Sequence, residues 1–242
     1  MSLPDFSDET RDKLKHVSTA TIATLLYKRG LRNQFIQDVY PLSPERSENM
    51  VGPAYTLRYI PAREDLNQLD VFRNPEHPQR KAVEQAPSGA VMVFDSRKDA
   101  RAASAGSILI ARLMARGAVG VVTDGGFRDS MEIARMDIHS YHHRPSAPTN
   151  LTLHQAIDID VPVACGDVAV WPGDILVGDG EGVIVIPRAI AEEIATDAFE
   201  MTVYEDFVLD QVNAGETIVG LYPQTRAEVA DAFKAWRLEN GR

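Results

Sequence analysis

Two short apolar runs, "GAVMVFDS" (89–96) and "AVGVVTDG" (118–125), flank the stretch "GSILIARLMARG" (106–117), whose apolar residues recur at helical spacing. The runs have the length and composition of buried strands, and glycines mark both ends of the helix between them. Such a strand–helix–strand unit pairs its strands in parallel through a right-handed crossover. That commits the chain to a layered α/β architecture in which helices cover a sheet.

The flanking sequence extends this frame. Ser7 can cap a helix through "DETRDKLKHV", and Ser18 or Thr19 can cap "ATIATLLYKRG", which ends at Gly30. "VGPAYTLRYI" (51–60) reads as a strand. Residues 61–88, rich in proline and charge, read as loop with one short helix, and their basic stretch "RNPEHPQRK" (73–81) as a solvated segment. From 161 onward "VPVACGDVAV", "DILVGD" and "GVIVIP" read as a β-meander, with "GDGEGV" as a hairpin turn. A long acidic helix over about 188–214 and a last helix near 226–238 follow. The expectation is one domain over 1–242 with a mixed central sheet, an N-terminal helical segment (about 5–30) and a C-terminal helical extension (about 188–240).

A chain of 242 residues can bury about 70% of the surface it exposes when unfolded, so it needs no covalent staples. Cys165 is its only cysteine, which rules out an intrachain disulfide, and its apolar setting predicts an inert thiol. No stretch approaches the 18 or so apolar residues of a membrane span, and the polar, mixed-charge start is unlike a signal peptide, so the cytoplasm and no membrane partner are expected. A net charge of −10 argues against nucleic acid as a partner. It also means that an anionic substrate must be held by a local positive site.

"DGGFRDSME" (124–132) supplies one. Ligands of open α/β sheets gather beyond the carboxyl ends of strands, and here two glycines, permitting positive φ and a close approach of backbone to a ligand, lead into three charges. The helix opening at Gly106–Ser107 adds free backbone N–H groups suited to an anion. Arg128 offers a planar donor fork for a carboxylate or enolate oxygen. Asp129 and Glu132 offer hard oxygen ligands that favour Mg2+ or Mn2+. Cation, fork and backbone donors are the parts that stabilise a developing enolate. The competing reading is a surface ion network. His139, His142, His143 and His154 match no zinc spacing and read as loop histidines, solvated or hydrogen-bonded.

"GSILIARLMARGAVGVVTDGGFRDSMEI" resembles the signature of the 4-hydroxy-4-methyl-2-oxoglutarate aldolase family, which also contains the regulator of ribonuclease activity A. "STATIATLLYKRGL", "VGPAYTLR", "VPVACGDVAVWPGDILVGDGEGVIVIP" and "GETIVGLYP" extend the resemblance along most of the chain. It implies a swivelling β/β/α domain that forms trimers or hexamers with the site between subunits, a divalent metal, and 2-oxo acid substrates cleaved to pyruvate. It further implies oxaloacetate decarboxylation as a side activity. By position, Asp129 becomes a metal ligand, Arg128 the holder of the keto and enolate oxygen, and the Ile108 and Leu109 N–H groups the carboxylate site. Glu205, ten residues before Gly215, matches a glutamate supplied by the neighbouring subunit. Two departures stand out: Ser107 replaces an acid after the helix-opening glycine, and Ala23 replaces an aspartate in the early helix. The expected activity is a retro-aldol lyase. The alternative is a non-catalytic protein that regulates a ribonuclease, against which the acid at Glu132 speaks.

Overall fold

The computed structural model describes residues 6–43 and 45–242; the expected N-terminal helical segment begins at residue 5, just outside them. The helices are α1 (Asp8–Leu14), α2 (Thr19–Lys28), α3 (Pro78–Gln85), α4 (Ser107–Ala115), α5 (Ser130–Ile133), α6 (Ala191–Asn213) and α7 (Ala227–Glu239). The strands are β1 (Tyr40–Pro41), β2 (Met50–Pro61), β3 (Val91–Asp95), β4 (Ala103–Ala105), β5 (Gly120–Thr123), β6 (Gly126–Phe127) and β7 (His139–His142). They continue with β8 (Arg144–Pro145), β9 (His154–Ile159), β10 (Val163–Cys165), β11 (Val168–Val170), β12 (Ile175–Gly178) and β13 (Val183–Ile186).

The central sheet is mixed and runs β1-β7-β5-β3-β2-β12-β13, with β9 added beside β2. β3 and β5 pair in parallel across α4, as the crossover unit requires. β2 is the hub. Its start pairs antiparallel with β12, its middle parallel with β3, and its end antiparallel with β9. Pro53, which has no N–H to give a ladder, sits where the β12 register ends and that of β3 begins. Tyr141 of β7 donates its hydroxyl to the Asp179 carbonyl after β12 at 3.2 Å, so the sheet curls until distant strands touch.

Both faces of the sheet are covered, which is why β3 and β5 lack polar alternation. Met92, Phe94 and Val121 face α3 and α4 in one apolar cluster. Val91, Val93 and Val122 face the β10–β11 ribbon, including buried Cys165, in a second. A third cluster packs α1, α2 and α6 on β12 and β13. α7 folds back on α6 through aromatic contacts, among them Tyr204–Phe233 at 5.1 Å and Phe207–Trp236 at 5.8 Å between ring centroids. Ser7 and Ser18 cap α1 and α2 as expected, each accepting a backbone N–H at 3.1 Å. Asp179 in the hairpin turn adds a second cap, accepting the Thr19 N–H at 2.8 Å.

Two buried carboxylates tie loops to the strand ends. Asp124 accepts the N–H groups of Ser96 (2.7 Å), Lys98 (3.0 Å) and Gly166 (3.3 Å), and Asp95 those of Arg97 (3.0 Å) and Ala164 (3.3 Å). Burial outweighs these bonds and, with Asp95 alongside, pushes the Asp124 carboxyl up to about 6. A carboxyl raised in the fold favours folding while protonated; the contribution is complete below the unfolded value near 4 and is lost as pH rises through about 6. Asp124→Asn, which cannot titrate, should therefore gain on the wild type by on the order of 3 kcal/mol between pH 4 and pH 7 in urea unfolding. Parallel pH profiles for the two proteins would refute this.

Candidate active site

β4 and β6 pair in parallel in a small second sheet, and each leads straight into a predicted site segment. β4 runs into α4 through Gly106, and β6 into Arg128 and Asp129. The Arg128 N–H donates to the Ala105 carbonyl at 3.1 Å, which locks the two exits side by side. The glycines that make this possible serve by close approach. Neither Gly125 nor Gly126 has a left-handed φ, contrary to one expectation from sequence. A Cβ on Gly125 would lie 2.6 Å from Ser96 Cβ, and one on Gly126 2.6 Å from Ser146 Cβ. Asp129, not a glycine, takes the left-handed conformation, at φ 58° and ψ 32°. Short polar side chains tolerate that region, and strain of this kind gathers at functional sites.

Gly106 packs under the charged pair: a Cβ there would fall 2.7 Å from Arg128 Cγ and 2.9 Å from Asp129 Oδ2. Arg128 Nε lies 3.7 Å from Asp129 Oδ2. Ser107 is buried and gives the same oxygen its N–H at 3.3 Å and its hydroxyl at 3.4 Å. The hydroxyl can donate to Asp129, where an acid at this position would repel it. Further into the first turn, Leu109 N–H is already bonded to the Gly106 carbonyl at 3.1 Å. That tightened turn removes one of the two backbone donors expected for a carboxylate and leaves the Ile108 N–H without a protein partner among the described residues.

A cavity of about 220 Å3 opens over these groups, bordered by Gly106, Ile108, Leu109, Arg128 and Asp129. Phe72, Gln79 and Arg80 form its far wall. The last two were hidden in the stretch read as a solvated basic loop. The signal for them was Pro78 before "QRKAVEQ", a proline at the first position of a helix. Glu132 is exposed and borders a second depression, which Arg128 and Asp129 also line. A larger groove of about 1050 Å3 lies elsewhere and touches none of the predicted site residues. Glu205, on α6, does not border the cavity of its own chain; its carboxylate accepts the hydroxyls of Thr21 and Tyr222, each at 2.8 Å.

No group of three His, Cys, Asp or Glu suited to a metal exists among the described residues. The donor set at the site is a carboxylate, Asp129, whose bonds from Ser107 both fall on Oδ2, with a second acid three residues on. That fits Mg2+, which keeps several waters and takes one or two carboxylates, and does not fit an all-protein cage. Three of the four histidines lie in strands and not in a loop, while the expected hydrogen bonding is present at His143, whose Nδ1 lies 2.8 Å from the Asp38 carbonyl, and at His154. His139 and His142 belong to β7, where burial pushes both down to about 4, and His154 opens β9 with Nε2 2.9 Å from the Asp99 carbonyl.

The RraA-like family model, described as aldolase/RraA, matches residues 11–185. A protein of Halalkalibacterium halodurans provisionally named 4-hydroxy-4-methyl-2-oxoglutarate aldolase is 29% identical over 169 residues, 70% of this chain and 73% of that one. Among solved structures, an uncharacterized protein of Pseudomonas syringae pv. tomato superposes with a TM-score of 0.79 at 21% identity, covering 93% of this chain and 98% of that one. Streptomyces coelicolor RraAS2, described as an unusual member of the RNase ES inhibitor RraA family, superposes at 0.75 with 27% identity, covering 86% and 98%.

Because a side chain at 106 must push Arg128 and Asp129 apart, Gly106→Ala should weaken binding of a small dianion such as oxalate at least about tenfold by calorimetry. The thermal midpoint should stay within about 5 °C. Undiminished oxalate binding would show that the pair yields to a Cβ without consequence.

Proposed function

The chain belongs to the aldolase/RraA family, and from that premise we propose that it is a divalent-metal-dependent lyase acting on 4-hydroxy-2-oxo acids of the 4-hydroxy-4-methyl-2-oxoglutarate type. The products are pyruvate and a second carbonyl compound, with oxaloacetate decarboxylation as a side reaction. The observation that carries the reading is the convergence of Arg128, Asp129 and the start of α4 on one small cavity. Mg2+ or Mn2+ would be held by Asp129, with Glu132 beside it, and when bound would polarise the substrate's carboxylate and keto oxygens.

The chain's own groups then have distinct tasks. The free Ile108 N–H, at the positive end of α4, donates to the substrate carboxylate. Gly106 and buried Ser107 leave room for it and hold Asp129 in place. Arg128 donates to the keto oxygen, and its fork strengthens as that oxygen gains enolate charge. A base removes the 4-hydroxyl proton, the C3–C4 bond breaks, and its electron pair passes into the pyruvate enolate. Protonation at C3 gives pyruvate. We assign the proton transfer to Glu205 of a neighbouring copy in a homotrimer or hexamer. Its support is a half-buried carboxylate held rigidly by Thr21 and Tyr222 and away from the cavity of its own chain. Oxaloacetate meets the same groups, with CO2 as the fragment that departs.

A second reading has one observation in its favour, the likeness to RraAS2 and its inhibitor family. In it the chain is a non-catalytic protein that regulates a ribonuclease by contact.

The two readings part on pyruvate release from oxaloacetate and 4-hydroxy-4-methyl-2-oxoglutarate, measured with Mg2+ and with a chelator. The lyase reading expects metal-dependent release, and a kcat lower by about 10²–10³ in Arg128→Ala with circular dichroism unchanged. Wild-type turnover in Arg128→Ala, or metal-independent release, would overturn it.

A further inference from the structure

Arg80 stands apart from the cations beside it. Its neighbours are paired: Lys81 with Glu76 at 2.6 Å, and Arg112 across the helix pair with Glu84 at 2.7 Å. Arg80 has no carboxylate partner among the described residues, yet it is half-buried, and burial holds its pKa below the ordinary arginine value. A partly desolvated, unpaired guanidinium is costly unless something else occupies its fork. The guanidinium stacks over the Phe72 ring, 4.3 Å from its centroid. Stacking uses the face of the group and leaves its in-plane N–H donors free.

Its position is fixed from below. Gln79, buried, donates its amide Nε2 to the Ser104 carbonyl and the Tyr59 hydroxyl, both at 2.9 Å, and Tyr59 donates to the same carbonyl at 2.8 Å. This clamp pins the start of α3 to β2 and β4, so Arg80 is carried on a rigid element beside the cavity. Arg128 borders the same cavity. At about 220 Å3 the space lies below the roughly 300–1,000 Å3 of drug-sized sites, so both forks address one small molecule.

We propose that Arg80 binds a second carboxylate at the far end of the substrate and thereby selects dicarboxylic 2-oxo acids over monocarboxylic ones. This rests on the reading of the cavity as a 2-oxo acid site. The 2-oxo acid end lies at Arg128 and the start of α4, and the distal carboxylate takes the bidentate fork of Arg80 over Phe72. On a chain of net charge −10, two arginines are what make this one cavity attractive to a dianion.

The test is calorimetric binding of 2-oxoglutarate and 2-oxopentanoate, which match in chain length and differ in the second carboxylate, at fixed Mg2+. The wild type should bind 2-oxoglutarate at least about tenfold more tightly, in keeping with one charge-assisted pair. Arg80→Gln should abolish that preference while keeping 2-oxopentanoate affinity within about twofold, and Arg80→Lys should restore part of it. Unaltered preference in Arg80→Gln, or no preference or binding in the wild type, overturns the proposal. Because binding needs no turnover, loss of the preference in Arg80→Gln alongside an absence of pyruvate release would sustain the role of Arg80 and reject the lyase.

Discussion

Everything in this molecule hangs on the burial of β2. Twelve residues of one strand exchange three partners in turn, antiparallel, parallel and antiparallel again. Only one segment can satisfy all three ladders while its side chains enter different apolar clusters, Val51 with the helices of the termini and Ala54 with the β10–β11 ribbon. Leu57 and Tyr59 enter the cluster under α3 and α4. A one-residue slip would move every one of these to the wrong face. The same strand carries the Tyr59 hydroxyl that fixes α3, so the register of the core and the far wall of the cavity are set together.

The site joins backbone strain to a local excess of positive charge. Asp129 sits in the left-handed region directly after Arg128, and its carboxylate is steadied by a hydroxyl and an N–H from Ser107. Ser107 places a donor where an acid would repel the Asp129 carboxylate. The local charge is then set by Arg128, Asp129 and Arg80, with no further carboxylate bordering the cavity among the described residues. Glu132, exposed, borders a second depression that Arg128 and Asp129 line as well.

Much of this was legible in the sequence, for physical reasons. The crossover unit showed itself because β3 and β5 are buried on both faces and the glycines fall at the ends of α4. The caps at Ser7 and Ser18 and the hairpin at "GDGEGV" follow from local hydrogen bonding that needs no tertiary information. What escaped depends on contacts far apart in the chain. β4, β6 and β8 are two or three residues long and have no periodicity to detect. Arg80 lay in a proline-rich, charged stretch whose helix is held by Gln79 reaching residues of β2 and β4. The histidines of β7 and β9 looked like loop residues because neighbouring prolines masked short buried strands. The Leu109 N–H looked available because a helix start frees its first donors, and only the tightened turn shows it engaged.

The curl of the sheet has a consequence for how copies of this chain can meet. Tyr141 reaches the Asp179 carbonyl, and its ring lies so close that a Cβ on Gly178 would fall 2.7 Å from it. The two nominal edges are blunted as well. β1 is two residues long, and β13 is covered by residues 34–36, with Ile36 N–H bonded to the Val183 carbonyl at 2.8 Å and Val185 N–H to the Gln34 carbonyl at 2.8 Å. Shortened or covered in this way, the β1 and β13 edges offer no ladder to a strand from another molecule. At those two edges association falls to side chains on helices and loops, the surfaces on which exposed Ile108, Met131 and Leu209 already stand.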